Sequence, residues 1–145
     1  MSSYAGLQQI SVSIRGGGGA KPSGVAFFRL LGLSMKTCDL LAPSDSAWKW
    51  AVATLFSVRL DEMLEAEEPT EAFAHGIAAG FQKAAAVLAK CKLAGLDQWR
   101  AQGKEADIFI GGWLANEQFD LQLPASFLEQ CARLGLSISI CTNDH

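Results

Sequence analysis

Between Leu7 and Arg15 apolar and polar residues alternate, with Ile10, Val12 and Ile14 on one side and Ser11, Ser13 and Arg15 on the other. A period of two marks a strand with one dry face. A second run, Ala47 to Leu60, places Trp48, Trp50, Val52, Phe56 and Val58 on one face, interrupted only by Thr54, and Lys49, Ser57 and Arg59 opposite. It predicts another strand, rich in aromatic and β-branched residues. ADIFIGGW and QFDLQL predict two more, joined as a hairpin through Leu114–Glu117. Leu136, Ile138 and Ile140, alternating with Ser137, Ser139 and Cys141, predict a last strand.

Elsewhere the period is helical. Pro22 suits a first helical turn, where its missing N–H has no partner to lose. Val25, Phe28 and Leu31, widened by Phe27 and Leu30, continue to Gly32. Thr70 is the expected N-cap of a long helix reaching about Lys92, with Phe73, Ile77, Phe81 and Leu88 as its buried stripe. Ala72, Gly76, Gly80 and Ala84 form a second stripe of small residues, which predicts close approach by a neighbour. A short helix follows around Asp97–Ala101. Pro124 opens another with Phe127, Leu128, Cys131 and Leu134 inside and Gly135 as its cap. The order β-α-β-α-β-β-α-β predicts one α+β domain over residues 1–145: a mainly antiparallel sheet of about five strands with helices packed on one face, ferredoxin-like. Leu-Gly-Leu-Ser recurs at the ends of two helices, at Leu31 and at Leu134; repeated cap chemistry is the simple explanation, with an internal duplication as the alternative.

The strand ISVSIRG, the helix ending RLLGLS, the tryptophan strand AWKWAV and the closing LQLPASFLEQCARLGLSISI together make a pattern covering most of the chain. In these motifs the chain resembles the uncharacterised bacterial family catalogued as domain of unknown function 4279. That resemblance implies a small α+β fold and carries no catalytic residue over.

Composition removes several classes. Half of the 145 residues are hydrophobic, enough for a core without metal or disulfides. The apolar runs are short and broken by charge, and no basic-then-apolar leader pattern is visible, so a cytoplasmic protein is expected. The 4 cysteines are scattered, without a CxxC pair, and read as reduced buried thiols. Lys+Arg number 12 against 15 Asp+Glu, for a net charge of -3, and the densest charge is acidic. Asp61, Glu62, Glu65, Glu67, Glu68 and Glu71 crowd a stretch with no Lys or Arg between Arg59 and Lys83. A phosphate backbone is therefore a poor partner.

The run SIRGGGGAKPSG meets neither phosphate fingerprint. Lys21 follows Ala20 and precedes Pro22, where a P-loop needs Gly before and Ser or Thr after. Gly16 and Gly18 are followed by Lys21 where a dinucleotide loop needs Gly or Ala. The run reads as a flexible connection at the sheet rim, with anion binding by Arg15 and Lys21 as the alternative. His75 points away from the buried stripe of its helix, His145 is terminal, and no nucleophile–base motif is present. No cofactor, metal or catalytic residue is expected.

Two surfaces remain. Glu65, Glu67, Glu68 and Glu71 form either a solvated helix start or a docking surface for a basic protein partner. Phe109 and Trp113 lie on the wet face of the sheet, with Ser11, Ser13, Arg15, Ser137, Ser139, Asp120 and Gln122, if Ile108 and Ile110 point inward; a bulge at Gly111–Gly112 would spoil that register, and the alternation leaves these two aromatics open between core and surface. Two function classes follow. One is a non-enzymatic binding module, of an immunity-type or regulatory kind, with a protein partner and room for a homo-oligomer. The other is a small-ligand or phosphate-binding protein or enzyme using the glycine loop.

Overall fold

The computed structural model describes residues 7–17, 24–33, 39–41, 50–114 and 120–142. In chain order these form β1 (Leu7–Gly17), α1 (Gly24–Leu31), β2 (Asp39–Leu41), β3 (Trp50–Arg59), a 3₁₀ turn (Leu60–Met63), α2 (Pro69–Ala89), α3 (Leu93–Ala101), β4 (Glu105–Leu114), α4 (Ala125–Arg133) and β5 (Ser137–Thr142). The fold is α+β, built on a five-stranded sheet of order β2-β3-β1-β4-β5. The pairings β2/β3, β3/β1 and β1/β4 are antiparallel and β4/β5 is parallel. This mixed sheet departs from the ferredoxin-like expectation, because the chain returns through α4 to place its last strand parallel at an edge.

β1 is the central strand, and its inward side chains define the core. Ile10, Val12 and Ile14 are buried beside Ala53, Phe56 and Val58 of β3 and Ile108 and Ile110 of β4. The helices lie on this face. Rings link the layers: Phe81 of α2 packs edge-on against Phe56 and against Phe127 of α4, each with centroids 5.0 Å apart, and Phe27 of α1 lies 4.8 Å from Trp99 of α3.

Two glycine features are explained by packing. Gly76 and Gly80, on the small-residue stripe of α2, lie against Val58 and Phe56; a Cβ at Gly80 would run into the Phe56 ring. Gly16 and Gly17, expected in a flexible connection, are instead the last residues of β1, and Phe27 of α1 occupies the space a Cβ on Gly16 would need. Gly18, Gly19 and Lys21 lie outside the described residues, as do Pro22, the predicted helix start, and the 115–119 segment of the predicted hairpin.

Four further expectations are corrected. The strand over Ala47–Leu60 does not keep one face: the β1–β3 register shifts between Val12 and Ser13, pairing Val12 with Phe56 but Ser13 with Thr54. Leu55 is the extra residue, so Val52 sits opposite Arg15 on the outer face while Phe56 and Val58 turn inward. Trp48, Lys49 and the side chain of Trp50 lie outside the described residues. Residues 120–123 form no strand, although Leu121 and Leu123 pack on the core; β2, too short for an alternation to show, was not foreseen. Helix α2 starts one residue before Thr70, at Pro69, with Glu68 as N-cap; proline's fixed φ suits the first helical position. α3 begins at Leu93, ahead of the expected Asp97.

The helix ends are tied to one another. Leu33 N–H donates to Phe28 O and Leu136 N–H to Cys131 O, with Gly32 and Gly135 at positive φ, so both Leu-Gly-Leu segments close as glycine C-caps. Arg133 of α4 donates to Leu88 O and Cys91 O at the end of α2. Arg100 of α3 donates to Leu134 O and Gly135 O at the end of α4. Both place a cation on carbonyls at a helix C-terminus, the negative end of the helix dipole.

Phe81→Ala or Phe127→Ala should cost about 3–5 kcal/mol in chemical denaturation. Gly80→Ala provides a sharper check. In an exposed helix the change stabilises by about 1 kcal/mol, whereas here displacement of Phe56 should make it destabilising; a stabilised variant would contradict the α2–β3 packing.

The outer face of the sheet as candidate functional site

With Ile108 and Ile110 inward, Asp107, Phe109, Gly111 and Trp113 of β4 face the other way. Across the sheet they extend rows of outward residues: Val52, Arg15, Asp107 and Ser137; then Thr54, Ser13, Phe109 and Ser139; then Ser57, Ser11, Gly111 and Cys141; then Arg59, Gln9 and Trp113. The β1–β4 register runs unbroken through Gly111 and Gly112 and shifts only near Gln8, so the feared bulge is not there. Asp120 and Gln122 belong to no strand of this sheet.

Arg15 and Asp107, directly opposite on neighbouring strands, form a two-pronged pair: Nε donates to Oδ1 at 2.9 Å and Nη2 to Oδ2 at 2.7 Å. Ser139 Oγ donates to the same carboxylate at 3.1 Å. Three strands are thereby stitched together around one buried carboxylate. The guanidinium also lies 4.3 Å from the centre of the Phe109 ring, a cation–π contact. Arg15 is thus committed to a carboxylate of its own chain, and Lys21, its expected companion in anion binding, lies outside the described residues.

Beyond Phe109 the face drops. Gly111 and Ser11 form the floor of a depression of about 270 Å³ lined also by Gln9, Phe109, Gly112, Trp113 and Cys141. Phe109 and Trp113 are four residues apart on one strand, about 13 Å. Only a small residue between them leaves room for a guest: a Cβ on Gly111 would sit 3.3 Å from the Phe109 ring. Phe109 is half-buried, and Trp113 is 40% exposed. No charged residue lines this slot.

A second depression, of about 450 Å³, adjoins it and shares Gln9 and Trp113 with it. Its other walls are Gln8, Arg59, Leu60, Asp61 and Leu64; Leu64 is 68% exposed, and Arg59 pairs with Asp61 at 3.0 Å on the surface. The structure therefore brings Trp113 beside the start of the acidic segment. Glu65, Glu67, Glu68 and Glu71 are all exposed, and the last three line a separate shallow depression with Ala66, Ala72 and His75. A hydrogen bond with Glu71, reinforced by repulsion from its charge, raises the Glu68 carboxyl above its ordinary range. Among the described residues no group of three His, Cys, Asp or Glu is placed to hold a metal. No helix of the described residues is long and apolar enough to cross a membrane.

Cys91 and Cys131 are buried as expected, whereas Cys141 is half-exposed in the slot, because an edge strand shields its outer face on one side only. Cys38 lies outside the described residues. Asp107 went unnoticed in the sequence; its signal was a lone carboxylate inside an apolar strand. No family model, curated protein or solved structure matches the chain.

Asp107→Ala should destabilise the fold by about 3 kcal/mol, since it leaves Arg15 part-buried without its carboxylate, while Arg15→Met combined with Asp107→Leu should recover most of that loss. Equal losses in the single and double variants would contradict the pairing. Burial pushes the Cys131 thiol up to about 11, from an ordinary 9.0. Its contribution to stability is therefore complete below pH 9.0 and lost as pH rises toward about 11, where only the unfolded chain ionises. The stability gap between wild type and Cys131→Ala should narrow over that interval, as read from denaturation midpoints.

Proposed function

We propose that the protein is a non-enzymatic, cytoplasmic protein-binding module of an immunity-type or regulatory kind, in keeping with the family it resembles, and that Trp113 is the centre of its recognition surface. The observation that carries this reading is the slot between Phe109 and Trp113. It is a hydrophobic, uncharged depression on a rigid sheet, walled by an exposed tryptophan and floored by glycine. Tryptophan in a well-packed setting is the residue type most enriched among those that dominate binding energy. At about 270 Å³ the slot falls below the roughly 300–1,000 Å³ of pockets that enclose a drug-sized ligand; it suits a partner's side chain better than a free cofactor. The charged pair that braces the Phe109 wall, Arg15 and Asp107, is engaged with itself, which favours binding over acid–base chemistry.

The acidic segment begins beside this surface, at Asp61. From Asp61, beside Trp113, it extends to Glu71, and its charge favours a basic partner and speeds encounter without adding much to affinity. The test is capture from an extract of source cells on the immobilised wild-type chain, followed by kinetics with the captured protein. Trp113→Ala should weaken binding by about 2 kcal/mol or more, chiefly through faster dissociation. Changing Glu65, Glu67 and Glu68 to Gln should slow association at low salt and leave dissociation nearly unchanged. A partner indifferent to Trp113→Ala would remove this surface as the recognition site.

A further inference from the structure

We infer that the chain pairs with a second copy of itself through β5, the two strands running antiparallel about a two-fold axis and joining the two five-stranded sheets into one. The inference is independent of the Trp113 surface and rests on the edge of the sheet. An edge strand presents unpaired N–H and C=O groups in the plane of the sheet, and another extended backbone is what satisfies them. Proteins ordinarily blunt such edges with short strands, charged side chains or proline. The two edges of this sheet differ in that respect. β2 has three residues and includes Asp39. β5 has six, SISICT, with no charge and no proline, and among the described residues no strand pairs with its outer side.

The side chains bordering this edge are apolar and uncovered. Ile138 and Ile140 are level with Ile108 and Ile110 of β4, so they face the helical side. Ile110 is buried there, yet Ile140 is 50% exposed. Leu128 of α4 is 40% exposed. Phe127 and Arg133 of the same helix both reach α2, at the Phe81 ring and the Leu88 carbonyl. At about 100° per residue, Leu128 points roughly 160° away from their mean direction. Since α2 lies against β3, the side of α4 turned away from it is the side toward β5. Leu128 and Ile140 therefore border the same edge.

A second β5 fits this edge on both faces. Residues opposite one another across a strand pair share a face. With Ser139 opposite its own copy, Ser137 meets Cys141 on the outer side, and Ile138 meets Ile140 twice on the inner side. Every isoleucine of one strand then packs on an isoleucine of the other, the kind of cross-strand pair that stabilises a sheet. Charge points to the same place. Two copies meeting through the acidic segment would set like charges together, whereas β5 carries none. The axis stands perpendicular to the sheet, so both helical layers lie on one side and both outer faces remain open on the other. A two-fold pair also closes on itself, using each β5 once. The seam is one strand long, and interfaces burying less than about 1,200 Å² are typically weak, so the pair forms reversibly as concentration rises.

The test is sedimentation equilibrium of the full chain under reducing conditions, from about 1 µM to about 1 mM, the range in which a weak pair populates. The expected result is a mass that rises from monomer toward dimer and no further. Ile140→Lys and Leu128→Lys, each of which sets a charge on the seam, should weaken the association at least tenfold. Leu64→Lys, an exposed leucine beyond the 3₁₀ turn that follows β3, should leave it unchanged. Each variant is first checked for a cooperative thermal transition; if Ile140→Lys does not fold, Leu128→Lys, on a helix surface, carries the test. Hydrogen exchange gives the location: amides of β5 should exchange more slowly at high concentration than at low. A chain that stays monomeric throughout overturns the inference and leaves the edge to a strand of another protein or to none. A dimer indifferent to both lysine substitutions, or one whose β5 amides gain no protection, overturns it as well. So does growth into larger polymers, which a closed two-fold pair forbids.

Discussion

A strand has two faces, and filling one decides the other. Once Ile108 and Ile110 are committed to the core, period two leaves Asp107, Phe109, Gly111 and Trp113 no choice but the outer face. β1 obeys the same constraint, sending Gln9, Ser11, Ser13 and Arg15 to meet them. The outer surface is thus the by-product of a hydrophobic decision made on the opposite side. A slip of one residue would bury Asp107 among the helices and expose two isoleucines. The candidate site inherits its precision from the core.

The outer face is held by polar chemistry instead. Arg15, Asp107 and Ser139 come from three neighbouring strands and satisfy one another at one carboxylate. The geometry explains why a charged pair can sit on a largely buried sheet face: the acid accepts three hydrogen bonds, and the guanidinium spreads part of its charge over the Phe109 ring. Phe109 is consequently a braced wall and Trp113 the more exposed one, so the slot has one fixed side and one that meets solvent.

Much of this was legible in the chain. The alternations of β1, β4 and β5 and the stripe of α2 are locally strong, and a buried face writes its own period into the sequence. The remainder depends on contacts that sequence order does not carry. Nothing between Thr54 and Phe56 marks a bulge, since apolar residues occur on both sides of it. QFDLQL alternates, and Leu121 and Leu123 do pack on the core, but residues 120–123 lack strand pairing. Arg15 and Asp107 are 92 positions apart and meet only because β1 and β4 are neighbours in a particular register. The junction between Trp113 and Asp61 likewise exists only through the order β3-β1-β4. Of the acidic segment, Asp61 shares a depression with Trp113, while Glu67, Glu68 and Glu71 line a separate one.

The arginines that join the helix ends have a consequence for how this molecule yields. Helices ordinarily fray from their termini, each on its own, because the last carbonyls are held by little more than water. Here the end of α2 is held by α4 and the end of α4 by α3. Melting α3 strips the clamp from α4, and melting α4 strips it from α2. The ends of α2, α3 and α4 are thereby coupled to one another through two arginine side chains. The inner face of the sheet is thus backed by helices whose ends hold one another.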